Sequence, residues 1–534
     1  MSQTAVLTQT AASPPDSQLD HDSRRGPGSQ SSLSREYGSS EDIGDDQRTN
    51  LSRTRAVILI TTLTGITFVG SMSTGLLTIG LPWIATDLGL PENLLLWPSS
   101  VYSLANGCCL LLAGSLADFM GNRMINLIGC FLLGTFTLAC GVAQNGIQLI
   151  LFRTFQGIAT SMCLPTAFSI LTDSMPVGKR RNIGFACLGL GQPFGFSVGL
   201  VFGGLFQETS LKWRFGYYLC AGVTMGLAVV NFFKLPKDSA RELFTFGRLR
   251  REIDWMGIFL SSSSLGMISY VFAAITDSPS NIHKAENIVL LCVATVMMPA
   301  FLGWMNWREK IGKPALIPNS LWQNTAFSYL YHGSVLMGCA KRHGDYSQSI
   351  SSFQEVQDLP AIQAALRFLP SIISGITLNL GTGLLVHRLH ANYLVLIASV
   401  LSAGSPLLMA IIDPEWSWWY CAFWAMLLGP LSADVIFTVA NLIITDAFTP
   451  KTQGLAGAVF NVVAQFGTSI GLTIFAIVSA GVTQGSSYEN KKSPEALMLG
   501  YRAVFWTCFG LMMAACCFGA WGLRKVGKVG LKRE

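Results

Sequence analysis

Charged residues are scarce in this sequence. They make up 12% of its 534 residues, about half of the 25% that is usual in soluble domains. Most of the chain is poorer still, because residues 1–55 carry a disproportionate share of the charge. Apolar stretches of about 20 residues recur from Ala56 to Leu523, and each is long enough to cross a bilayer core about 30 Å thick. The sequence therefore predicts a polytopic membrane protein and argues against a soluble globular one.

Residues that build catalytic and metal sites are few and dispersed. The chain has 6 histidines, and its apolar runs lack the clustered His, Cys or paired carboxylates that a membrane-embedded enzyme requires. The 13 cysteines are odd in number and many lie inside apolar runs, so they indicate no disulfide framework. Basic residues are spread over many short loops, which argues against nucleic-acid binding. We therefore predict no enzymatic activity, no cofactor, no metal site and no nucleic-acid partner.

The chain divides into a polar start and a long apolar body. Residues 1–55 are rich in Ser, Gln, Asp, Gly and Pro, a composition that predicts a disordered tail. Lys and Arg then concentrate in alternate short loops, as they do on the cytoplasmic side of a membrane, which places both termini of the multi-pass protein in the cytosol. Apolar windows predict fourteen helices. These helices begin near Ala56, Leu94, Met124, Ile147, Asn182, Phe215, Trp255, Asn287, Ala326, Ala364, Asn392, Trp418, Gly454 and Leu499.

An internal repeat groups these helices. Residues 170–176, which end the fourth predicted helix, resemble residues 443–450, which end the twelfth, and the match continues into the next helix. Parallel six-helix repeats of this kind build transporters. We therefore predict an all-α membrane protein. Its parts are a tail (1–55), a six-helix bundle (56–235), an inserted helix pair (255–305), a second six-helix bundle (325–523, atypical near 326–350, where charged residues follow a short apolar run) and a cytosolic tail (524–534).

A glycine-bracketed motif follows the second predicted helix. Gly114, Asp118, Gly121 and Arg123 fall at the spacing G-x-L-A-D-r-x-G-r-k. This run resembles the loop signature of the major facilitator superfamily. In that family the glycines permit a tight turn, and the Asp and the basic residues form a charge network between helices. The resemblance therefore implies a cytosolic gating loop here.

Two further motifs support the same resemblance. Arg153 and Gln156 match the R-x-x-Q-G pattern of helix four and lie on one helical face. A guanidinium within a membrane span is costly unless it meets a partner or a watery cavity, so Arg153 is a functional candidate. In helix five, small residues recur every fourth position and permit close helix packing. They resemble the antiporter motif G-x-x-x-G-P-x-x-G-G, with the four glycines Gly195, Gly199, Gly203 and Gly204.

Taken together, the motifs resemble the fourteen-span drug:proton antiporter branch of the major facilitator superfamily, and within it fungal efflux pumps related to aminotriazole-resistance proteins. The resemblance implies two six-helix bundles plus two inserted helices. It also implies a monomer that moves a small-molecule substrate across the lipid bilayer by alternating access, with protons as the coupling ion.

Proton coupling is where the sequence departs from this branch. Ser73 stands where the branch usually has an acid in helix one. Asp434 is the remaining carboxyl group well inside a predicted span, and it shares a polar stripe with Asn441. Gln465 matches the polar position of the repeat in the next helix. We predict a substrate and proton pathway of Arg153, Gln156, Asp434, Asn441 and Gln465, although a purely structural role for Asp434 is nearly as well supported.

The resemblance leaves several functions open. Export of a fairly apolar drug, toxin or fungal secondary metabolite is favoured, because the spans carry little charge. Relatives of the aminotriazole-resistance type also suggest a carrier of a small polar solute such as ammonium, borate or a polyamine. The missing helix-one acid and the atypical helix near 326–350 suggest a third function, a non-transporting sensor built on the same fold.

Overall fold

Long apolar helices make up most of the structure, a computed structural model. It describes residues 52–522 and 524, except 92–93, 95–96, 177, 207–211, 238–252, 278, 314, 318–348, 350–351, 387 and 448–449. The described part of the chain contains helices and no β-strand. This finding confirms the predicted all-α class.

Six helices occupy the first half of the described chain. Even the shortest has 21 residues and is therefore about 30 Å long. Side chains cap some of their first turns, since Ser52 Oγ accepts a hydrogen bond from Arg55 N–H and Asn145 Oδ1 from Gln148 N–H. The six are α1 (Arg53–Leu88), α2 (Trp97–Met120), α3 (Asn122–Val142), α4 (Gly146–Ser174), α5 (Lys179–Phe206) and α6 (Trp213–Lys234).

Two helices follow within the segment predicted to be inserted. They are α7 (Trp255–Asp277) and α8 (Ala285–Lys310), and a 3₁₀ turn, Pro279–His283, lies between them. Asp254 fastens their ends together, because its carboxylate accepts hydrogen bonds from Gly257 N–H and Trp304 Nε1–H, both at 3.0 Å, and forms an ion pair with Arg308 at 3.8 Å. Asp254 is almost fully buried, so this ion pair links the ends of α7 and α8 away from water.

The last part of the chain forms a second set of helices. The predicted ninth helix near Ala326 lies outside the described residues. A single π-helical turn, Ser352–Val356, precedes the helices of this second set. Two of the predicted helices are each divided into two pieces. The set is α9 (Ala361–Leu366), α10 (Leu369–Leu385), α11 (Ala391–Ile411), α12 (Ala422–Leu428), α13 (Leu431–Ala447), α14 (Pro450–Gln484) and α15 (Pro494–Gly522).

The division between α12 and α13 lies in the middle of a span. Gly429 and Pro430 interrupt the helix there, and Pro lacks the N–H that a continuous helix would need. Three serine hydroxyls from neighbouring helices donate to the carbonyls near the break, which satisfies backbone groups that lipid could not. The bonds are Ser371 to Met426 O (2.5 Å), Ser374 to Leu427 O (2.7 Å) and Ser402 to Gly429 O (2.8 Å).

Within the described residues, twelve helical segments are long and apolar enough to cross a membrane. The break at Gly429 lies inside one of these twelve segments, Ala422–Ile444, so α12 and α13 together form a single span. The 35-residue helix α14 is additional to the twelve. The predicted count of fourteen and the predicted domain bounds stay predictions, because the ninth predicted helix lies outside the described residues.

The two bundles meet along two pairs of helices. α5 packs against α10, and α2 packs against α14. The inserted helix α7 lies beside the second pair, where it contacts both α2 and α14. Residues on these helices are therefore the ones that a rocking motion of one bundle against the other would separate.

Candidate functional site

Arg153 lies in a fully enclosed polar cluster inside the first bundle. Its side chain is 0% exposed. Its Nε–H donates to Pro98 O at 3.2 Å, and its Nη1–H donates to Gln156 Oε1 at 2.8 Å. The guanidinium also stacks 4.6 Å from the centre of the Tyr102 ring, a cation–π contact. The predicted pairing of Arg153 with Gln156 on one helical face is thus present as a direct hydrogen bond.

Gln156 extends this cluster to two other helices. Its amide N–H donates to Thr137 Oγ1 of α3 at 2.7 Å and to Ser73 Oγ of α1 at 3.1 Å. The Ser73 hydroxyl in turn donates to Gly70 O at 2.8 Å. Ser73, which stands at the position of the missing acid, is therefore a fixed member of the cluster. Tyr102 lies on α2 and Thr137 on α3, and the local sequence of neither helix identifies Arg153 or Gln156 as its partner.

The charge of Arg153 is not balanced within the described chain. No carboxylate there lies within 4.0 Å of the guanidinium, and its Nη2 has no hydrogen-bond partner. A buried cation without a counter-charge is strongly unfavourable. Arg214 contrasts with it, because it pairs with Asp87 at 3.0 Å near the membrane surface.

The glycines of α5 pack directly against α1, and we call this contact surface the glycine seam. A Cβ on Gly195 or Gly199 would collide with the carbonyl oxygen of Phe68 or Met72, and one on Gly203 would collide with the Ile79 side chain. Gly204 is buried beside them. The seam explains why α1 and α5 pack more extensively than any other pair of described helices.

Asp434 lies near the middle of the Ala422–Ile444 span, in the first turn of α13. It is 5% exposed, and a Cβ on Gly375 of α10 would be 3.0 Å from its Oδ2. One turn further on, Thr438 Oγ1 donates to Asn379 Oδ1 at 3.3 Å. The same Asn379 oxygen would lie 3.3 Å from a Cβ on Gly189 of α5. The carboxyl group therefore lies close to the surface where the two bundles meet.

Of the other two predicted residues of the second bundle, Asn441 bonds within its own helix. Asn441 donates from its amide to Phe437 O at 2.7 Å, one turn back on its own helix. Gln465 belongs to α14, but its side chain lies outside the described residues. The predicted polar stripe is therefore present over Asp434 and Thr438, and its continuation stays a prediction.

The predicted gating loop is shorter than expected. Gly114 and Asp118 are part of α2, which continues to Met120, because no residue between them stops a helix. The turn consists of Gly121 alone, whose φ of 109° favours glycine. Arg123 reaches across to α6 and donates to Phe232 O at 2.7 Å. The expected turn is therefore present at Gly121 and not at Gly114, and a gating role for these residues stays a prediction.

Four phenylalanine rings meet where the bundles touch on the predicted cytosolic side. Phe168 of α4 lies 5.8 Å from both Phe185 of α5 and Phe437 of α13, between ring centroids. Phe437 lies 6.3 Å from Phe460 of α14. These stacked and tilted contacts bury apolar surface between the two bundles on this side.

An apolar groove of about 510 Å³ separates the inserted pair from the first bundle. Ala105 of α2, Ile158 of α4, Met267 of α7 and Leu290 of α8 are among the residues that line it. The Thr154 hydroxyl, which is also in the lining, is already bonded to Ile150 O. The volume is within the range of about 300–1,000 Å³ that is typical of small-molecule sites.

Comparison with known proteins identifies the family. The family model described as Major Facilitator Superfamily matches residues 63–472. The chain belongs to this superfamily of transporters. It is 37% identical over 570 residues to MFS-type transporter 1 of Pyricularia oryzae, covering 98% of this chain and 92% of that one. It is 25% identical over 484 residues to Efflux pump terJ of Aspergillus terreus, covering 89% of each chain.

A solved structure confirms the fold of the superfamily. The crystal structure of the human organic anion transporter MFSD10 (TETRAN) aligns with a TM-score of 0.57 at 13% identity, and the match covers 87% of this chain and 99% of that one. At this level of identity the likeness extends to the fold alone. The predicted major facilitator fold is thus confirmed, and the superfamily consists in general of transporters rather than enzymes.

Proposed function

We propose that this superfamily member is a secondary active exporter of a small organic compound in a plasma membrane, driven by proton antiport. The observation that carries the proposal is the buried carboxyl group of Asp434 at mid-span, close to the junction of α5, α10 and α13. Ionisable residues at this depth are costly and mark ion or substrate pathways. Both termini are cytosolic in this proposal, as the loop charges predict.

Alternating access follows from the two contact surfaces. Rocking of the bundles would open the α5–α10 and α2–α14 surfaces on one side of the membrane and then on the other. The cluster of Phe168, Phe185, Phe437 and Phe460 closes one side by apolar contact, which a small motion can break. Asp434 would then exchange its proton with whichever side is open, and the cargo would move in the opposite direction.

The cargo in this proposal is apolar. The groove beside α7 is mostly apolar, and of its two hydroxyl groups that of Thr154 is already bonded to Ile150 O, which leaves the Tyr270 hydroxyl, so a charged or strongly polar solute would lose most of its hydration there without compensation. These features support an apolar drug, toxin or secondary metabolite over the alternative cargoes.

The test uses the purified full chain in liposomes whose lumen is one pH unit more acidic than the medium. Uphill accumulation of the neutral dye Nile red, beyond that of protein-free vesicles, is the expected result. Parallel vesicles receive methylammonium, borate or spermidine, and uptake of one of these instead would show the polar-solute carrier. Flux of none of the four, in protein that remains folded, would favour the sensor and contradict the proposal.

We expect Gly266→Phe to reduce efflux of Nile red about tenfold, the equivalent of about 1.4 kcal/mol. A Cβ on Gly266 would meet only Cys108 Sγ, at 3.4 Å, so the phenyl ring fills the groove without displacing backbone. Efflux is measured in cells of a yeast strain that lacks its own drug pumps. Gly303→Phe on α8, where a Cβ meets nothing within 4 Å, is the matched control. Equal efflux by the two variants would show that the groove does not take the cargo.

A further inference from the structure

Several buried polar atoms of the first bundle lack a hydrogen-bond partner within the described chain, and two of them lie close to the Arg153 cluster. One is Nη2 of Arg153 and the other is the hydroxyl of Tyr217 on α6. Both side chains are 0% exposed. Buried polar groups are normally hydrogen-bonded, so these two atoms need a partner that the described side chains do not supply.

The two groups belong to one neighbourhood. Cys140 of α3 connects them, because its Sγ lies 4.0 Å from Gln156 Oε1, the atom that accepts from Arg153. Tyr217 packs against the same turn of α3, and its Cβ would be 3.1 Å from a Cβ on Gly141. The two side chains therefore belong to one neighbourhood around the turn of α3 at Cys140 and Gly141.

The other atoms around the guanidinium cannot balance its charge. Pro98 O and Gln156 Oε1 are neutral acceptors, and the Tyr102 ring offers only its quadrupole. Ser73 and Thr137 are hydroxyl groups that are already bonded to Gln156. A water molecule would satisfy Nη2, but it would leave the net charge in place.

We propose that a small inorganic anion of the size of chloride binds beside Arg153 Nη2 and the Tyr217 hydroxyl and supplies the missing counter-charge. Charge-assisted hydrogen bonds from a guanidinium to an anion are stronger than bonds between neutral groups. Helices α1, α2, α3, α4 and α6 enclose the site on all sides, so an organic anion of drug size is excluded. The ion is a bound component of the bundle, separate from the cargo and from Asp434.

The experiment measures binding directly and does not depend on transport. The full chain is purified in detergent and exchanged into sodium gluconate, and its Tm is followed as gluconate is replaced by chloride or bromide at constant ionic strength. A saturable rise in Tm with both halides, and saturable binding of radioactive chloride with one ion per chain, are expected. Equal Tm in halide and gluconate without chloride binding would overturn the proposal and would indicate water at Nη2.

Variants locate the ion. Ser73→Asp places a carboxyl group beside Gln156, so the protein should no longer need or bind chloride. Tyr217→Phe removes one donor without a change of shape and should weaken chloride binding several-fold. Arg153→Gln should abolish chloride binding. If Arg153→Gln fails to fold, Ser73→Asp and Tyr217→Phe still test the proposal.

Arg214→Gln is the matched control. That guanidinium already has Asp87 as its counter-charge, so its removal should leave the response to chloride unchanged. If all of the cluster variants bound chloride as the wild type does, the ion would be located elsewhere and the proposal would be wrong. The proton gradient experiment has no bearing on this result, so failure of one proposal leaves the other standing.

Discussion

Asp434→Asn is expected to abolish uphill accumulation of cargo while leaving downhill exchange intact. An amide keeps the size of the side chain and its place beside Gly375, but it cannot release and take up a proton. With one proton per cycle, a gradient of one pH unit sustains about a tenfold concentration ratio of cargo, or about 1.4 kcal/mol. In proteoliposomes the ratio should fall to that of protein-free vesicles.

Asp254→Asn is a suitable control for this prediction. Asp254 is buried to the same 5% exposure, but it lies at the end of the inserted pair and is paired with Arg308. The control should lower the Tm through loss of that pair, and it should retain uphill accumulation. Uphill accumulation by Asp434→Asn would place proton coupling elsewhere, and a wild type that ignores the gradient would be a facilitator.

Gly199→Leu is expected to eliminate transport altogether. Its Cβ would collide with Met72 O, a backbone atom that can move only if α1 and α5 separate. Overpacking of a close-packed interior costs about 1–3 kcal/mol when side chains can adjust, and two backbones in contact cannot adjust in this way. Expression of a fluorescent fusion, its elution as a single species, and Nile red efflux are the measurements.

Gly222→Leu tests whether the effect depends on the position of the glycine. Gly222 is an exposed glycine of α6, and a Cβ there would meet nothing within 4 Å. This control should express and transport like the wild type. If Gly199→Leu transported normally at unchanged expression, the seam would have to be loose during the cycle, which contradicts the packing described above.

The glycine seam shows what the sequence can and cannot predict. A row of small residues every fourth position predicts one bare helix face, and the structure has that face at Gly195, Gly199 and Gly203. The row does not identify the helix that packs there. The partner is α1, where Gly75 makes the reciprocal approach to Phe196 O, and only the tertiary fold pairs the two.

The Arg153 cluster has a similar limit. Helical spacing places Arg153 and Gln156 on one face, and the hydrogen bond between them follows from that spacing. Tyr102, Thr137 and Tyr217 come from three other helices. The local sequence around each of these residues carries no information about its partner on another helix, so these contacts could not be predicted from the sequence.

The helix break at Gly429 and Pro430 was missed for a physical reason. A hydropathy window averages over about 19 residues, so Ala422–Ile444 is one apolar segment by that measure although it contains two helices. The hydropathy window missed the break between the short helix α9 and α10 for the same reason. Helix-breaking residues within a span signal such breaks, but the neighbours that satisfy the freed carbonyls are invisible in the local sequence.

The serines at this break also bear on biosynthesis. The carbonyls of Met426, Leu427 and Gly429 would be stranded in lipid if their segment entered the bilayer alone. Ser371, Ser374 and Ser402 come from α10 and α11, which the ribosome completes before Ala422 emerges. The hydroxyl donors are therefore already in the membrane when the broken segment inserts, so the order of the helices along the chain gives this segment its hydrogen-bond partners at the moment of insertion.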